Sequence, residues 1–199
     1  TILISVPRIY ERVYGRIQDG LAKKKPIARK LFDLAVRVGW RKFQHAQGVA
    51  AWHPELLLWP VLKKLVAGNV TEKLGGRLKL AISGGAALSP EIARVFVGLG
   101  LPIIQGYGLT ETSPVVTVNR PESNVPASIG KPLPGIEVKI GENDELLTRS
   151  KCVMRGYWKN EEATRAMVDA DGWLHTGDKS SVDARGQIGS ERRIDRDRH

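Results

Sequence analysis

Two short apolar runs flank an amphipathic helix between residues 78 and 105, and this unit constrains the fold more than any other stretch. The first run, Leu78–Ser83, is typical of a buried strand, and the small residues Gly84–Ala87 after it let a ligand approach the backbone closely. A helix start follows at Ser89, and Pro102–Gln105 predicts a second buried strand. Strand–helix–strand units are parallel and right-handed in nearly all proteins. We therefore expect an α/β fold with a parallel sheet.

Both strands of such a unit end at the same edge of the sheet, which predicts that Gly84–Ala87 lies beside Gly106–Glu111. Open α/β sheets bind their ligands at that edge. The Thr110 hydroxyl can donate to a phosphate oxygen, and the Glu111 carboxylate can hold a Mg²⁺ that bridges phosphates. Spacing alone favours the alternative, in which Thr110 caps the next turn and Glu111 is merely exposed.

After Glu111 the pattern changes to short strands separated by turns, which indicates a small barrel or sandwich. We expect residues 1–114 to form an α/β part with N-terminal helices, and residues 115–188 to form a β-rich part. The charged, aperiodic residues 189–199 are expected to be a disordered tail. Strands are predicted at Val115–Val118, Ile136–Ile140 and Glu145–Ser150, and a helix at Glu161–Val168.

The net charge of +10 belongs to the first part of the chain. Residues 1–80 carry 16 Lys and Arg against 5 Asp and Glu, whereas residues 81–199 carry 15 against 16. Basic residues from Lys23 to Lys42 alternate with apolar ones, as on an amphipathic helix with a solvated face over a core stripe. The alternative is attraction to anionic lipid headgroups or to a polyphosphate. Nucleic-acid binding is not expected, because no nucleic-acid-binding motif accompanies the charge.

The single cysteine, Cys152, excludes an internal disulfide and is typical of a reducing compartment. We interpret it as a small core residue in a strand. The histidines lack the spacing of metal ligands, and no apolar run has the length of a membrane span. We expect a cytoplasmic protein, with peripheral membrane contact as the alternative.

Four motifs in order resemble those of the AMP-forming adenylating superfamily. They are Ser83–Pro90, Tyr107–Glu111, the stretch from Glu145–Leu147 to Gly156–Trp158, and His175–Asp178. Within that superfamily the chain is most similar to long-chain fatty acyl-CoA ligases, and the similarity runs over residues 1–188. The activity this resemblance implies is attack of a fatty carboxylate on the α-phosphate of ATP to give acyl-AMP and pyrophosphate. Thioester formation with CoA follows.

The resemblance also implies a role for each site residue. Gly85, Ala86 and Ala87 line the adenine, and Tyr107 lies against its ring. Thr110 contacts the α-phosphate, Glu111 holds Mg²⁺, and Asp178 accepts hydrogen bonds from both ribose hydroxyls. By register, Arg193 is the arginine that also contacts the nucleotide. The segment that wraps the nucleotide and the acyl carboxylate comprises Gln105, Gly106, Tyr107, Gly108, Leu109 and Thr110.

The same resemblance predicts that the chain is an internal piece of such an enzyme. The family's phosphate-binding loop would precede Thr1, and its C-terminal domain with the adenylation lysine would follow. Without them we expect no turnover by this chain alone. Two alternatives stay open: ligation of another carboxylic acid, aromatic or medium-chain, and a non-catalytic basic module that docks on a membrane or a partner chain.

Overall fold

The computed structural model describes residues 1–74 and 76–193, which form two compact units. Unit 1 comprises Thr1–Ile104 and Arg120–Ala127, and unit 2 comprises Gln105–Asn119 and the chain from Ser128 onward. The division differs from the boundary expected after residue 114. The reason is that strand Ile103–Gly108 begins in unit 1 and ends in unit 2.

Unit 1 is mainly helical around a short parallel strand pair. Its elements are β1 (Ile2–Ser5), α1 (Pro7–Ala22), α2 (Pro26–Ala46), a 3₁₀ turn (Pro54–Leu58), α3 (Trp59–Leu62), a π-helical turn (Lys63–Ala67), α4 (Gly68–Lys73), β2 (Leu80–Ser83), α5 (Pro90–Gly98), the start of β3 (Ile103–Gly108) and a 3₁₀ turn (Pro121–Ser123). In the described part of the chain, no helix combines the length and apolarity that crossing a membrane requires.

The strand–helix–strand prediction is confirmed in its elements: β2, α5 and β3 follow one another, and β2 lies between β1 and β3 in the sheet. Strand β1 was not predicted. It pairs in parallel with β2, in the register Ile2↔Leu80 to Ser5↔Ser83. Because its partner β2 lies far along the chain, no local sequence pattern predicts β1.

The apolar face of the predicted amphipathic helix, α5, is buried. Ile92 and Phe96 join Tyr10 in one core cluster, where the Tyr10 and Phe96 rings meet edge to face with centroids 6.1 Å apart. Val95 and Leu99 join a second cluster between the helices. Helix α5 therefore links the two cores of unit 1.

Helices α2 and α5 approach closely at a pair of glycines. A Cβ on Gly39 would collide with the Gly98 carbonyl oxygen and with the Trp59 ring, and a Cβ on Gly98 would collide with the Val36 carbonyl oxygen. Close backbone packing at this crossing therefore requires the absence of both side chains.

Several arginines of α2 have local partners within unit 1. Arg29 Nε donates at 3.0 Å to the Leu21 carbonyl oxygen, which lies in the last turn of α1 and has no hydrogen-bond donor within that helix. Arg41 Nη1 lies 2.7 Å from Glu55 Oε2 in the 3₁₀ turn, and on the opposite face Phe32 is buried. Part of the basic charge thus stabilises contacts between helices.

Unit 2 is mainly β. Its elements are β3 from Gln105, a 3₁₀ turn (Thr110–Thr112), β4 (Val115–Val118), β5 (Lys131–Pro132), β6 (Glu137–Ile140), a 3₁₀ turn (Glu142–Asp144), β7 (Glu145–Arg149), α6 (Glu161–Met167), β8 (Leu174–Val182) and β9 (Ile188–Arg193). Strands β3, β4 and β5 pair antiparallel, and so do β6, β7, β8 and β9. The predicted α/β part followed by a β-rich, barrel-like part is confirmed.

Asp178 lies inside β8. Two sequence expectations in unit 2 differ from the structure. Cys152 was expected in a buried strand, but it is exposed in a turn. The expected tail began at Gly189, yet Gly189–Arg193 continues β9, whose backbone pairs with β8 despite its charged sequence. The rest of the expected tail, residues 194–199, lies outside the described residues.

Candidate functional site

The predicted glycine loop of unit 1 follows β2 and is open to solvent. Gly84 N donates to the Ser5 carbonyl oxygen at 3.1 Å, which anchors the loop beside the end of β1. Gly85 has φ +82°, a conformation that favours glycine. Gly85, Ala86 and Ala87 are all exposed, so their backbone is accessible to a ligand.

The strand end of unit 2 presents Gln105–Glu111. Tyr107 pairs with Thr117 of β4, and the register then shifts before Gly108. A Cβ on Gly108 would collide with the Pro114 carbonyl oxygen. Glycine is therefore required where the chain leaves the sheet, and this turn leaves Thr110 exposed and Glu111 half-exposed.

A buried threonine that the sequence did not single out holds this turn together. Thr112 Oγ1 accepts from Leu109 N at 3.0 Å, and it lies 2.5 Å from the Pro114 carbonyl oxygen, to which it donates. Its side chain is 1% exposed. Thr112 thus fixes the segment from which Thr110 and Glu111 project.

Tyr107 and Asp178 meet in unit 2. The Tyr107 hydroxyl donates to Asp178 Oδ2 at 2.6 Å, a short distance typical of a hydrogen bond to a carboxylate. A carboxylate has further lone pairs on both oxygens, so Asp178 retains accepting capacity. The structure therefore brings together two residues that lie 71 positions apart and that the sequence assigned to one nucleotide.

Asp178 is held by a hydrogen-bonded cluster that starts in β7. Glu145 Oε1 accepts from Gly177 N at 2.8 Å, and Glu145 Oε2 lies 3.0 Å from His175 Nδ1. Thr176 Oγ1 donates to the Leu146 carbonyl oxygen at 2.7 Å. Hydrogen bonds therefore join the motif around Glu145 to the motif His175–Asp178, and together they position the Asp178 carboxylate.

Glu111 has a partner that the sequence did not assign. The Tyr157 hydroxyl donates to Glu111 Oε1 at 2.8 Å, and Met154 N donates to the Glu111 carbonyl oxygen at 2.7 Å. Tyr157 stood within a recognised motif, Gly156–Trp158, but its partner became apparent only in the fold. Tyr157 therefore orients the carboxylate that was predicted to hold Mg²⁺.

The predicted site residues fall into two sets. Gly85, Ala86 and Ala87 lie in unit 1, whereas Gln105–Glu111 and Asp178 lie in unit 2. Their expected meeting at one sheet edge stays a prediction. Arg193 forms a register pair with Asp178 across β8 and β9, but its side chain lies outside the described part of the structure.

Residues 1–158 match the family model of the AMP-binding enzymes. The chain belongs to this family. It is 36% identical to the long-chain-fatty-acid–CoA ligase FadD15 of Mycobacterium bovis, over 94% of this chain and 30% of that protein. The chain therefore spans about 30% of the length of this curated relative.

Solved structures of adenylating ligases share the fold. The anthranilate CoA ligase AuaEII, solved in complex with anthranoyl-AMP, has 33% identity and a TM-score of 0.55, over 59% of this chain and 25% of that chain. A malonyl-CoA ligase with methylmalonyl-CoA and AMP bound has 25% identity and a TM-score of 0.59, over 97% of this chain and 34% of that chain. The described fold is thus that of part of an adenylating ligase.

Proposed function

We propose that this chain forms part of the adenylating site of a long-chain fatty acyl-CoA ligase. The reaction joins a fatty carboxylate to the α-phosphate of ATP with release of pyrophosphate, and CoA then takes the acyl group as a thioester. The observation that carries the proposal is the Tyr107–Asp178 pair, with Glu111 projecting from the turn that follows the same strand. The family match and the relation to FadD15 support it.

Each group has chemistry suited to its proposed role. The Asp178 carboxylate can accept from the two ribose hydroxyls with its remaining lone pairs. The exposed Thr110 hydroxyl can donate to an α-phosphate oxygen, and the open backbone of Gly85–Ala87 suits close approach of the flat adenine. Within unit 2, the contacts of Asp178 and Thr110 would position the ribose and the α-phosphate for in-line attack by the carboxylate.

The Mg²⁺ proposal rests on Glu111 alone among the protein groups described. No cluster of three or more metal-binding side chains occurs within residues 1–74 and 76–193. Mg²⁺ commonly takes one or two carboxylates and completes its shell with substrate phosphates and water. Glu111 therefore fits an ion that arrives with ATP, and such an ion would neutralise charge on the phosphates.

The proposed acid is a long-chain fatty acid, because the FadD15 relative is named for that substrate. The alternative is an aromatic or medium-chain acid, and AuaEII, with its anthranoyl-AMP, is the specific observation in its favour. The two alternatives differ in which carboxylic acid supports the exchange of pyrophosphate into ATP.

A chimera tests the proposal, with residues 1–188 replacing the matching stretch of FadD15. We expect hexadecanoate-dependent exchange of pyrophosphate into ATP, and a loss of roughly 100-fold or more in Glu111→Gln, because charge in the transition state would go uncompensated. The matched control is Glu142→Gln in an exposed turn, which should leave the exchange rate unchanged.

Exchange with benzoate but not with hexadecanoate would favour the aromatic alternative. A folded chimera with intact Glu111 that exchanges pyrophosphate with neither acid would contradict the proposal. Binding of AMP to the 199-residue chain, weakened by Asp178→Ala, provides a second measurement that does not depend on the chimera.

We also propose peripheral contact with an anionic membrane through the basic segment that connects α1 to α2. It consists of Lys23, Lys24 and Lys25, which are all exposed. Each is expected to add about 1 kcal/mol near an anionic surface at low salt. Phosphatidylserine vesicles should bind the chain in 20 mM salt and release it in 500 mM salt, and replacing all three lysines by Gln should weaken binding. Absence of binding at low salt would exclude this contact.

A further inference from the structure

Unit 1 contains a groove of about 460 Å³ between α1, α2 and the helical segment 65–74. Its wall is predominantly apolar and includes Val13, Ile17, Leu21, Leu31, Phe32 and Val70. Most of these side chains are only half-buried, although Ile17, Leu21, Leu31 and Val70 pack on the second core cluster of unit 1. The volume lies within the range of small-molecule sites in proteins, about 300–1,000 Å³.

Small residues keep the groove open. Gly20 lies in the last turn of α1, and a Cβ built on it would meet no atom within 4 Å. Ala28, near the start of α2, also lines the groove. The space is therefore not filled by the helices that form it.

The charged groups at the groove are cationic. Arg16 and Lys24 line it and are exposed, and no acidic residue is among its lining side chains. Among the described residues, neither cation has a side-chain hydrogen bond or ion pair. Asn69 also lines the groove, and its amide nitrogen is engaged with the Leu65 carbonyl oxygen at 2.7 Å. The groove thus combines an apolar wall with uncompensated positive charge.

We propose that this groove binds one long-chain fatty acid anion, with its alkyl chain on the apolar wall and its carboxylate at Arg16 and Lys24. An alkyl chain gains free energy from leaving water, whereas a polar metabolite would lose hydrogen bonds against this wall. The charge of the two side chains selects an anionic head group.

The proposed site is separate from the glycine loop within unit 1. Helix α1 begins at Pro7, close to Gly84, and Arg16 lies nine residues further, roughly 13 Å along the helix axis. A fatty acid held here has its carboxylate at the groove and not at the loop. The inference does not rest on the ligase activity, since it concerns binding without ATP or CoA.

Calorimetric titration of the 199-residue chain with dodecanoate, tetradecanoate and hexadecanoate, each below its micellar concentration, tests the proposal. We expect one molecule per chain and an affinity that rises about fourfold for each methylene that the groove buries. Hexadecyltrimethylammonium has the same chain length and the opposite charge, and it should bind at least fivefold more weakly than hexadecanoate.

Two glycine variants in α1 provide the matched comparison. Gly20→Leu places a side chain in the groove and should weaken hexadecanoate binding at least tenfold. Gly15→Leu is the control, because its Cβ also meets nothing within 4 Å and Gly15 does not line the groove. Both substitutions raise the helix propensity of α1, so both variants should fold.

Charge variants test the head-group contact. Arg16→Gln and Lys24→Gln should each weaken hexadecanoate binding about twofold to fivefold, as expected for an exposed ion pair. Lys30→Gln removes the same charge from an exposed residue of α2 that does not line the groove, and it should change the affinity less than twofold. Equal losses of affinity in Lys30→Gln and Lys24→Gln would show only a general attraction between charges and would overturn that part of the proposal.

Unchanged binding in Gly20→Leu, equal loss in Gly15→Leu, or equal affinity for the cationic amphiphile would overturn the proposal. If Gly20→Leu does not fold, an octadecanoate with a nitroxide label locates the binding site on the unaltered chain. Its label should broaden the methyl NMR signals of Val13, Ile17 and Val70, and broadening confined to other methyl groups would refute the site.

Discussion

Replacing Tyr107 with Phe removes the hydroxyl that donates to Asp178 Oδ2 at 2.6 Å and leaves the ring in place. The change isolates one hydrogen bond between β3 and β8. We expect the variant to unfold more easily, because the Asp178 carboxylate loses a donor in a half-buried position.

The magnitude follows from the charge and exposure of the pair. Hydrogen bonds to charged groups contribute about 1.5–3 kcal/mol to stability, and neutral ones about 1 kcal/mol. Both side chains are half-buried, so water still screens the carboxylate, and the lower end applies. We expect a coupling free energy of about 1.5 kcal/mol between the two side chains.

A double-mutant cycle measures that coupling. Urea unfolding of the parent chain, Tyr107→Phe, Asp178→Ala and the double variant gives four free energies of unfolding. The exposed Tyr14–Glu91 hydrogen bond of 3.0 Å, treated with the same two substitutions, is the control and should give less than about 1 kcal/mol. Additivity at Tyr107 and Asp178 to within about 0.3 kcal/mol would refute the pairing.

Three further predictions concern other contacts. Tyr157→Phe removes the hydroxyl that donates to Glu111. The Mg²⁺ concentration that gives half-maximal pyrophosphate exchange by the chimera should therefore rise about threefold. An unchanged Mg²⁺ concentration would show that Tyr157 does not orient Glu111. Gly39→Ala should lower the free energy of unfolding by about 1–3 kcal/mol in urea titrations, because a Cβ there would collide with Gly98 and Trp59. Gly15→Ala should not lower it, since a Cβ on Gly15 would meet nothing within 4 Å. Burial raises the pKa of Tyr10 to about 12. Its contribution to stability should therefore be complete below pH 10 and lost as pH rises through about 12, a dependence that Tyr10→Phe should reduce in melting curves.

The sequence predicted those parts of the fold that depend on local pattern. The spacing of Ile92, Phe96 and Leu99 places α5 correctly, because an amphipathic helix carries its own periodicity. Strand β1 was missed because its hydrogen bonds go to β2, far along the chain. Its own side chains Ile2 and Ile4 are 60% and 76% exposed, so burial gives no pattern either.

The candidate site was likewise predicted only in part. The resemblance carried by the ordered motifs singled out Tyr107, Glu111 and Asp178. The partners that orient them could not be derived in advance. Tyr157 reaches Glu111 across 46 positions, and Glu145 accepts from the backbone beside Asp178 across 32. Such pairings depend on strand register, which spacing along the chain does not specify.

Transfer of an oxygen isotope tests the central claim most directly. The chimera is supplied with ATP, Mg²⁺, CoA and hexadecanoate that carries ¹⁸O in both carboxylate oxygens. The ¹⁸O content of the AMP product is then measured by mass spectrometry. Attack of the carboxylate on the α-phosphate, followed by thioester formation, leaves one ¹⁸O in each AMP. AMP without ¹⁸O, formed together with hexadecanoyl-CoA, would contradict an adenylating site built on Tyr107, Glu111 and Asp178.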